Sequence, residues 1–172
     1  MKKVCISLIL IGIIILSVLV GVAKPQTQTG FLRIHIRAYS NSEEDQLVKY
    51  KVKDAVISLL TPIVAQNETI EQAMESVKKM LNEIEAVTDS VLKENGFDYC
   101  ANAKLCVEEF PTRVYEGYTL EQGLYDALII NLGEGKGDNW WCVVYPPLCF
   151  TSATNNFVYK SKILEIINGF FK

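Results

Sequence analysis

Residues 31–38, Phe-Leu-Arg-Ile-His-Ile-Arg-Ala, alternate strictly between apolar and polar. Leu32, Ile34, Ile36 and Ala38 share one face, and Arg33, His35 and Arg37 share the other. Successive side chains of a strand point to opposite faces, so this run predicts a half-buried strand with His35, the one histidine, on its solvated side. Ser40 and Ser42 precede Glu43-Glu44-Asp45, an N-cap followed by carboxylates in a first helical turn. Val48, Val52, Ala55, Val56, Leu59, Leu60 and Ile63 carry that helix's apolar face, and Pro62 predicts an end or kink after a last regular turn near Leu60. Thr69, with Gln72 three positions on, opens a second helix. Ile70, Ala73, Val77, Met80, Ile84, Val87 and Val91 give it an a/d seam, and Gly96 stops it. A short polar connection predicts that the two helices form an antiparallel hairpin with their apolar faces in the core.

Beyond Phe97 the pattern turns to β. Lys104–Phe110 reads as a strand that Pro111 ends, Ala127–Ile130 as one buried on both faces, and Trp140–Tyr145 as another, closed by Pro146-Pro147. Gly133–Asn139 between the last two suits a hairpin loop. Residues 157–171 predict a short amphipathic helix, and no internal repeat is present. The expected fold is α+β: an N-terminal strand, a helical hairpin, then a small antiparallel sheet built from 31–38, 104–110, 125–132 and 140–145. Residues 24–30 read as a polar linker, 31–150 as the domain and 151–172 as a tail.

The N-terminus changes the picture of where this domain works. Val4–Val22 is an uncharged apolar run behind Lys2 and Lys3, and Gly21 and Ala23 fit the −3 and −1 positions of a signal peptidase site. The run is longer than a usual leader core and close to the ~20 residues that span a bilayer, so residues 1–23 are either a cleaved signal or a retained anchor. Both readings place residues 24–172 outside the cytoplasm, because the two lysines stay inside. With residues 1–23 removed, Lys and Arg fall from 17 to 15 against 20 Asp and Glu. That acidic balance argues against a nucleic-acid partner.

Export makes the cysteines structural candidates. Cys100, Cys106, Cys142 and Cys149 remain, an even number suited to an oxidising compartment. A straight strand over 100–106 would hold its ends about 20 Å apart, too far to bridge, unless a turn at Asn102 rescued a local bond. Cross-strand pairs 106–142 and 100–149 are the alternative. Neither pair has the spacing of an ordinary zinc site, and no cofactor or metal is called for.

Little in the chain assembles catalytic chemistry. Gly133–Gly137 is G-x-G-x-G before a strand, not the fingerprint that follows a strand and cradles phosphate. No serine sits in a nucleophile elbow, and His35 has no acidic sequence neighbour. Asp138 is the one carboxylate whose loop setting suits a hydrolase; the alternative is a turn residue that accepts backbone N–H bonds. No small-molecule substrate is evident. Trp140 and Trp141 point to opposite faces of one strand, so one can enter the core while the other anchors a partner. Lys136, Asp138 and Asn139 in the adjoining loop complete that candidate contact surface, with the tail helix as its rival.

Gly133–Phe150, G-E-G-K-G-D-N-W-W-C-V-V-Y-P-P-L-C-F, closely resembles the signature stretch of the stage II sporulation protein R family of endospore-forming bacteria. Residues 32–46 (LRIHIRAYSNSEEDQ) are similar to that family's strand, turn and acidic helix start, and 110–115 (FPTRVY) to its middle motif. Tyr39 departs from the pattern, and residues 151–172 carry none. The resemblance implies a sporulation signal made in the forespore and exported into the space between the two sporulation membranes. There it would bind the extracytoplasmic face of the mother-cell membrane aspartic protease that processes pro-sigma-E, favouring its active state without catalysis of its own. A secreted hydrolase acting on cell wall, or a membrane-anchored binding domain, is the alternative. The resemblance also favours local bonds 142–149 and 100–106 over the crossed pairs.

Overall fold

The computed structural model describes residues 27–115, 118–150 and 157–171; the expected signal or anchor at 1–23 lies outside them. The elements are β1 (Thr27–Arg37), α1 (Glu43–Val64), α2 (Ile70–Lys79), α3 (Leu81–Glu94), β2 (Ala101–Phe110), β3 (Arg113–Tyr115), β4 (Tyr118–Leu120), β5 (Gly123–Leu132), β6 (Asn139–Tyr145) and α4 (Phe157–Phe170). The fold is α+β, as the pattern predicts. A four-stranded sheet in the order β2-β5-β1-β6 carries the helices on one face, and β3 and β4 form a separate hairpin. No helix among the described residues is long and apolar enough to cross a membrane.

The sheet is mixed, not antiparallel. β1 runs parallel to β5, with Ile34 beside Leu128 and His35 beside Ile129, and antiparallel to β6, with His35 beside Trp141. β2 and β5 pair antiparallel as expected, so the departure is the parallel β1–β5 pairing: alternation along a strand reveals its two faces but not its neighbours. β1 is inserted between β5 and β6, so the connection at 133–138 is a bridge over the end of β1 and not a tight hairpin. It crosses two interstrand spacings, about 10 Å. β1 also begins at Thr27, inside the expected linker, with a register shift between Gln28 and Leu32.

Leu32, Ile34 and Ile36 of β1 join Leu128, Ile130 and Leu132 of β5 and Val144 of β6 against Val52, Val56, Leu60, Val77, Ile84 and Leu92 of the helices. Ala127, Leu128, Ile129 and Ile130 are all fully buried, as the continuous apolar run predicts. Ser42 caps α1 by accepting from the Asp45 N–H, and Thr69 caps α2 by accepting from the Gln72 N–H. Pro62 is absorbed: α1 runs on to Val64, and the Ala65 N–H donates to the Thr61 carbonyl at 3.1 Å. The single second helix divides at Met80, and the buried positions shift to Ile84, Thr88 and Leu92. The a/d seam therefore slips by one residue after the break, leaving Val87 and Val91 at its margin.

Cys142 and Cys149 are bonded, with Cα atoms 6.3 Å apart, whereas Cys100 and Cys106 are free. The 100–106 bond and the crossed pairs are therefore not formed. β2 is continuous from Ala101, with Asn102 inside it, and an extended strand keeps the two thiols at opposite ends. α4 closes one end of the core through buried Ile163 and Ile167, and Phe170 packs on Phe31 at 5.1 Å between ring centroids.

Candidate functional site

The bridge over β1 is fixed by its backbone. The Gly137 N–H donates to the Ala38 carbonyl at 2.8 Å, the Lys136 N–H to Tyr39 at 3.3 Å, and the Asp138 N–H to Asn41 Oδ1 at 2.6 Å. Lys49, buried beneath, donates from Nζ to the Asp138 carbonyl at 3.0 Å. Gly137 is required by contact: a Cβ there would lie 2.2 Å from the Ser40 carbonyl oxygen. Gly133 and Gly135 have φ of 55° and 60°, the left-handed region that glycine enters without strain. Under the turn, Asp45 accepts from Ser40 Oγ and, at 2.6 Å, from the Tyr99 hydroxyl. Burial opposes its ionisation, but the hydrogen bonds from Ser40, Tyr99 and Ser42 outweigh it and hold the carboxyl below its usual range.

What this rigid bridge offers to solvent is its side chains. Lys136 is exposed and pairs with exposed Glu134, and Asp138 and Asn139 are exposed beside them. Trp140 turns toward the helix-side core and Trp141 toward the opposite face, both half-buried. Neither is the freely projecting anchor that alternation predicts, because both sheet faces are covered.

The alternation of β1 does not foresee the second cover. Arg33 and His35 are 0% and 1% exposed, although the alternation places them on a solvated face. Glu108 stands opposite Tyr125, and Arg37 opposite Asn131, six positions along β5, about 20 Å on a flat strand. Glu108 nevertheless pairs with Arg37, so the far end of the β2–β5 ribbon coils across β1. That coil brings Phe110 over Arg33, whose guanidinium lies 4.2 Å from the ring centroid, and edge-on to Trp141 at 4.9 Å. The β3–β4 hairpin adds Tyr115, whose hydroxyl accepts from Arg33 at 2.8 Å, and Arg113, 5.9 Å over Trp141. Burial pushes the His35 pKa down to about 4; Asn139 opposes this, and Arg37 and Arg33 add to it. The signal that could have located this cover is FPTRVY, which supplies Phe110, Arg113 and Tyr115.

These two features define a class: an α+β domain that presents a backbone-locked loop over one strand end, with its only imidazole sealed in an aromatic and cationic layer. Among the described residues, no group of three or more His, Cys, Asp or Glu side chains could hold a metal ion. The family model of stage II sporulation protein R matches residues 28–155, and the chain belongs to that family. The stage II sporulation protein R of Bacillus subtilis (strain 168) is 33% identical over 173 residues, covering 94% of this chain and 77% of that protein. No solved structure matches. The chain is thus a sporulation protein.

Proposed function

We propose that this protein is an exported signal that activates the membrane aspartic protease processing pro-sigma-E, by binding the protease's extracytoplasmic face. Membership of the stage II sporulation protein R family is the observation that carries this reading. Residues 1–23 supply export, and the domain acts in the space between forespore and mother cell, either released or held by its anchor. The contact surface is the bridge side chains Lys136, Asp138 and Asn139 with the half-buried edge of Trp141, and Trp140 supports them from the helix side. The domain raises activity only by binding the active form more tightly, each tenfold preference being about 1.4 kcal/mol.

The geometry gives a hydrolase less support. The Asp138 side chain is exposed on a loop whose backbone is consumed in fold-holding bonds, and His35 is sealed between Trp141 and Phe110. A hydrolase needs a base within reach of its nucleophile or water. The test is pro-sigma-E processing in sporulating cells whose own stage II sporulation protein R is deleted. The full chain is expected to restore processing, and Asp138→Asn to restore it equally. Failure of the unaltered chain overturns the signal reading; full processing by Asp138→Asn removes the one carboxylate a hydrolase could use.

A further inference from the structure

β2 is an edge strand, and its free side is blocked at one end only. Asp89 Oδ1 accepts from the Ala101 N–H at 2.6 Å, and Glu85 Oε1 accepts from the Ala103 N–H at 2.7 Å, both reaching across from α3. These bonds fix the strand's parity: odd-numbered residues turn their backbone groups to the free side, and even-numbered residues turn theirs to β5. Among the described residues nothing pairs with the outward N–H and C=O groups of Leu105 and Val107, which lie beyond the reach of α3, and Val107 is 50% exposed. An open edge of this kind is a template for another strand.

The open stretch, Lys104-Leu105-Cys106-Val107-Glu108, is complementary to itself about Cys106. Set antiparallel to a second copy with Cys106 facing Cys106, Lys104 faces Glu108, whose carboxylate it shares with Arg37, and Leu105 faces Val107, each pairing occurring twice. The parity agrees. Leu105 and Val107 form the hydrogen-bonded pairs, whereas Cys106, Lys104 and Glu108 fall in non-hydrogen-bonded pairs, where side chains approach most closely. We propose that two copies of this chain dimerise through their β2 edges in this register, joining their four-stranded sheets into one continuous sheet. α3 sets the ladder's limit, because Glu85 already occupies the Ala103 N–H.

Free Cys106 makes the dimer lockable. Cα atoms of a non-hydrogen-bonded pair lie about 4.5 Å apart, inside the range a disulfide spans. The oxidant is a low-molecular-weight disulfide. One Cys106 thiolate attacks it, forming a mixed disulfide and expelling one thiol; the second copy's thiolate then displaces the other, so two protein thiols are oxidised and one small disulfide is reduced to two thiols.

The experiment uses the full chain, purified in mild detergent, with sedimentation for assembly and non-reducing gels after exposure to oxidised glutathione. A reversible dimer is expected, converted by the oxidant to a covalent one whose linking peptide contains Cys106 twice. Cys106→Ser keeps the reversible dimer and loses the covalent one, and Cys100→Ser keeps both. Lys104→Glu replaces two attractive pairs with two repulsive ones and weakens association about tenfold, while Lys104→Arg does not. Val107→Pro removes an N–H from the free side without taking one from β5, and it also weakens the dimer. A monomer that oxidant leaves unlinked, a cross-link through Cys100, or a dimer indifferent to Lys104→Glu overturns the proposal. The readout is assembly, so it stands or falls apart from the protease reading.

Discussion

His35 and Trp141 face each other across the β1–β6 ladder and stack, with ring centroids 3.7 Å apart and planes 24° from parallel. Glu108 lies 3.7 Å from the imidazole Nδ1, but its carboxylate already pairs with Arg37. The imidazole is therefore held neutral against a flat apolar surface, between two arginines. A neutral histidine in that setting is a liability in acid.

Stability should fall between about pH 6.5 and pH 4 through this one residue. The native pKa is about 4 against 6.5 for the free side chain, so in that window the unfolded chain binds a proton that the native state refuses. His35 contributes its full stability above pH 6.5 and loses it as pH falls through 4, a change of about 3 kcal/mol. Replacing it with Phe keeps the stacking and removes the proton. Thermal melts of the two proteins should converge at pH 7.5 and diverge at pH 4.5, where the variant melts higher. Parallel pH profiles would contradict the assignment.

Gly137→Ala tests the bridge. Its added Cβ meets the Ser40 carbonyl at 2.2 Å, a backbone atom that cannot swing aside, and the expected cost is about 1–3 kcal/mol. Gly169 is the control, a helical glycine with nothing within 4 Å of the added atom. Gly169→Ala should be neutral or stabilising by about 0.5–1 kcal/mol. Equal melting shifts for the two variants would mean that the close approach is not rigid.

Much of this arrangement was readable in the residues, for reasons that are local. Ser42 and Thr69 announce their helices because a side-chain oxygen and an orphan N–H are neighbours in sequence. Pro111 and the apolar run Ala127–Ile130 mark β2's end and β5's burial equally well. What failed was everything set by distant partners. Nothing near His35 says that Phe110 will coil over it, nor that β1 slots between β5 and β6 and turns a hairpin loop into a bridge. The candidate loop was found through its glycines, while the reason for Gly137 lies at Ser40, almost a hundred residues away.

The Cys142–Cys149 bond closes a short loop at the end of β6, and loop-closure entropy gives about 2–3 kcal/mol for one of that size. Cys142→Ala/Cys149→Ala should melt earlier by that amount, and reductant should lower the wild-type melt to match. Cys100→Ser should leave the melt unchanged, since Cys100 is free and exposed. A reductant-insensitive wild-type melt would show that the bond carries no stability.

The contact surface separates two variants that disturb the fold unequally. Lys136→Ala/Asp138→Ala leaves the bridge intact, because its hydrogen bonds run through the backbone of these residues. Melting should change by less than about 0.5 kcal/mol, as for surface substitutions generally. Pro-sigma-E processing should nevertheless drop, by tenfold or more if the pair sits at the centre of a contact. Deleting 157–172 removes Ile163, Ile167 and Phe170 from the core end, so it should lower both stability and processing together. Processing measured in cells alongside melts of the purified proteins distinguishes the cases. A double variant that is stable and fully active would move the contact off the bridge, and the exposed side of α4, where Leu164 is 42% accessible, would be the next surface to alter.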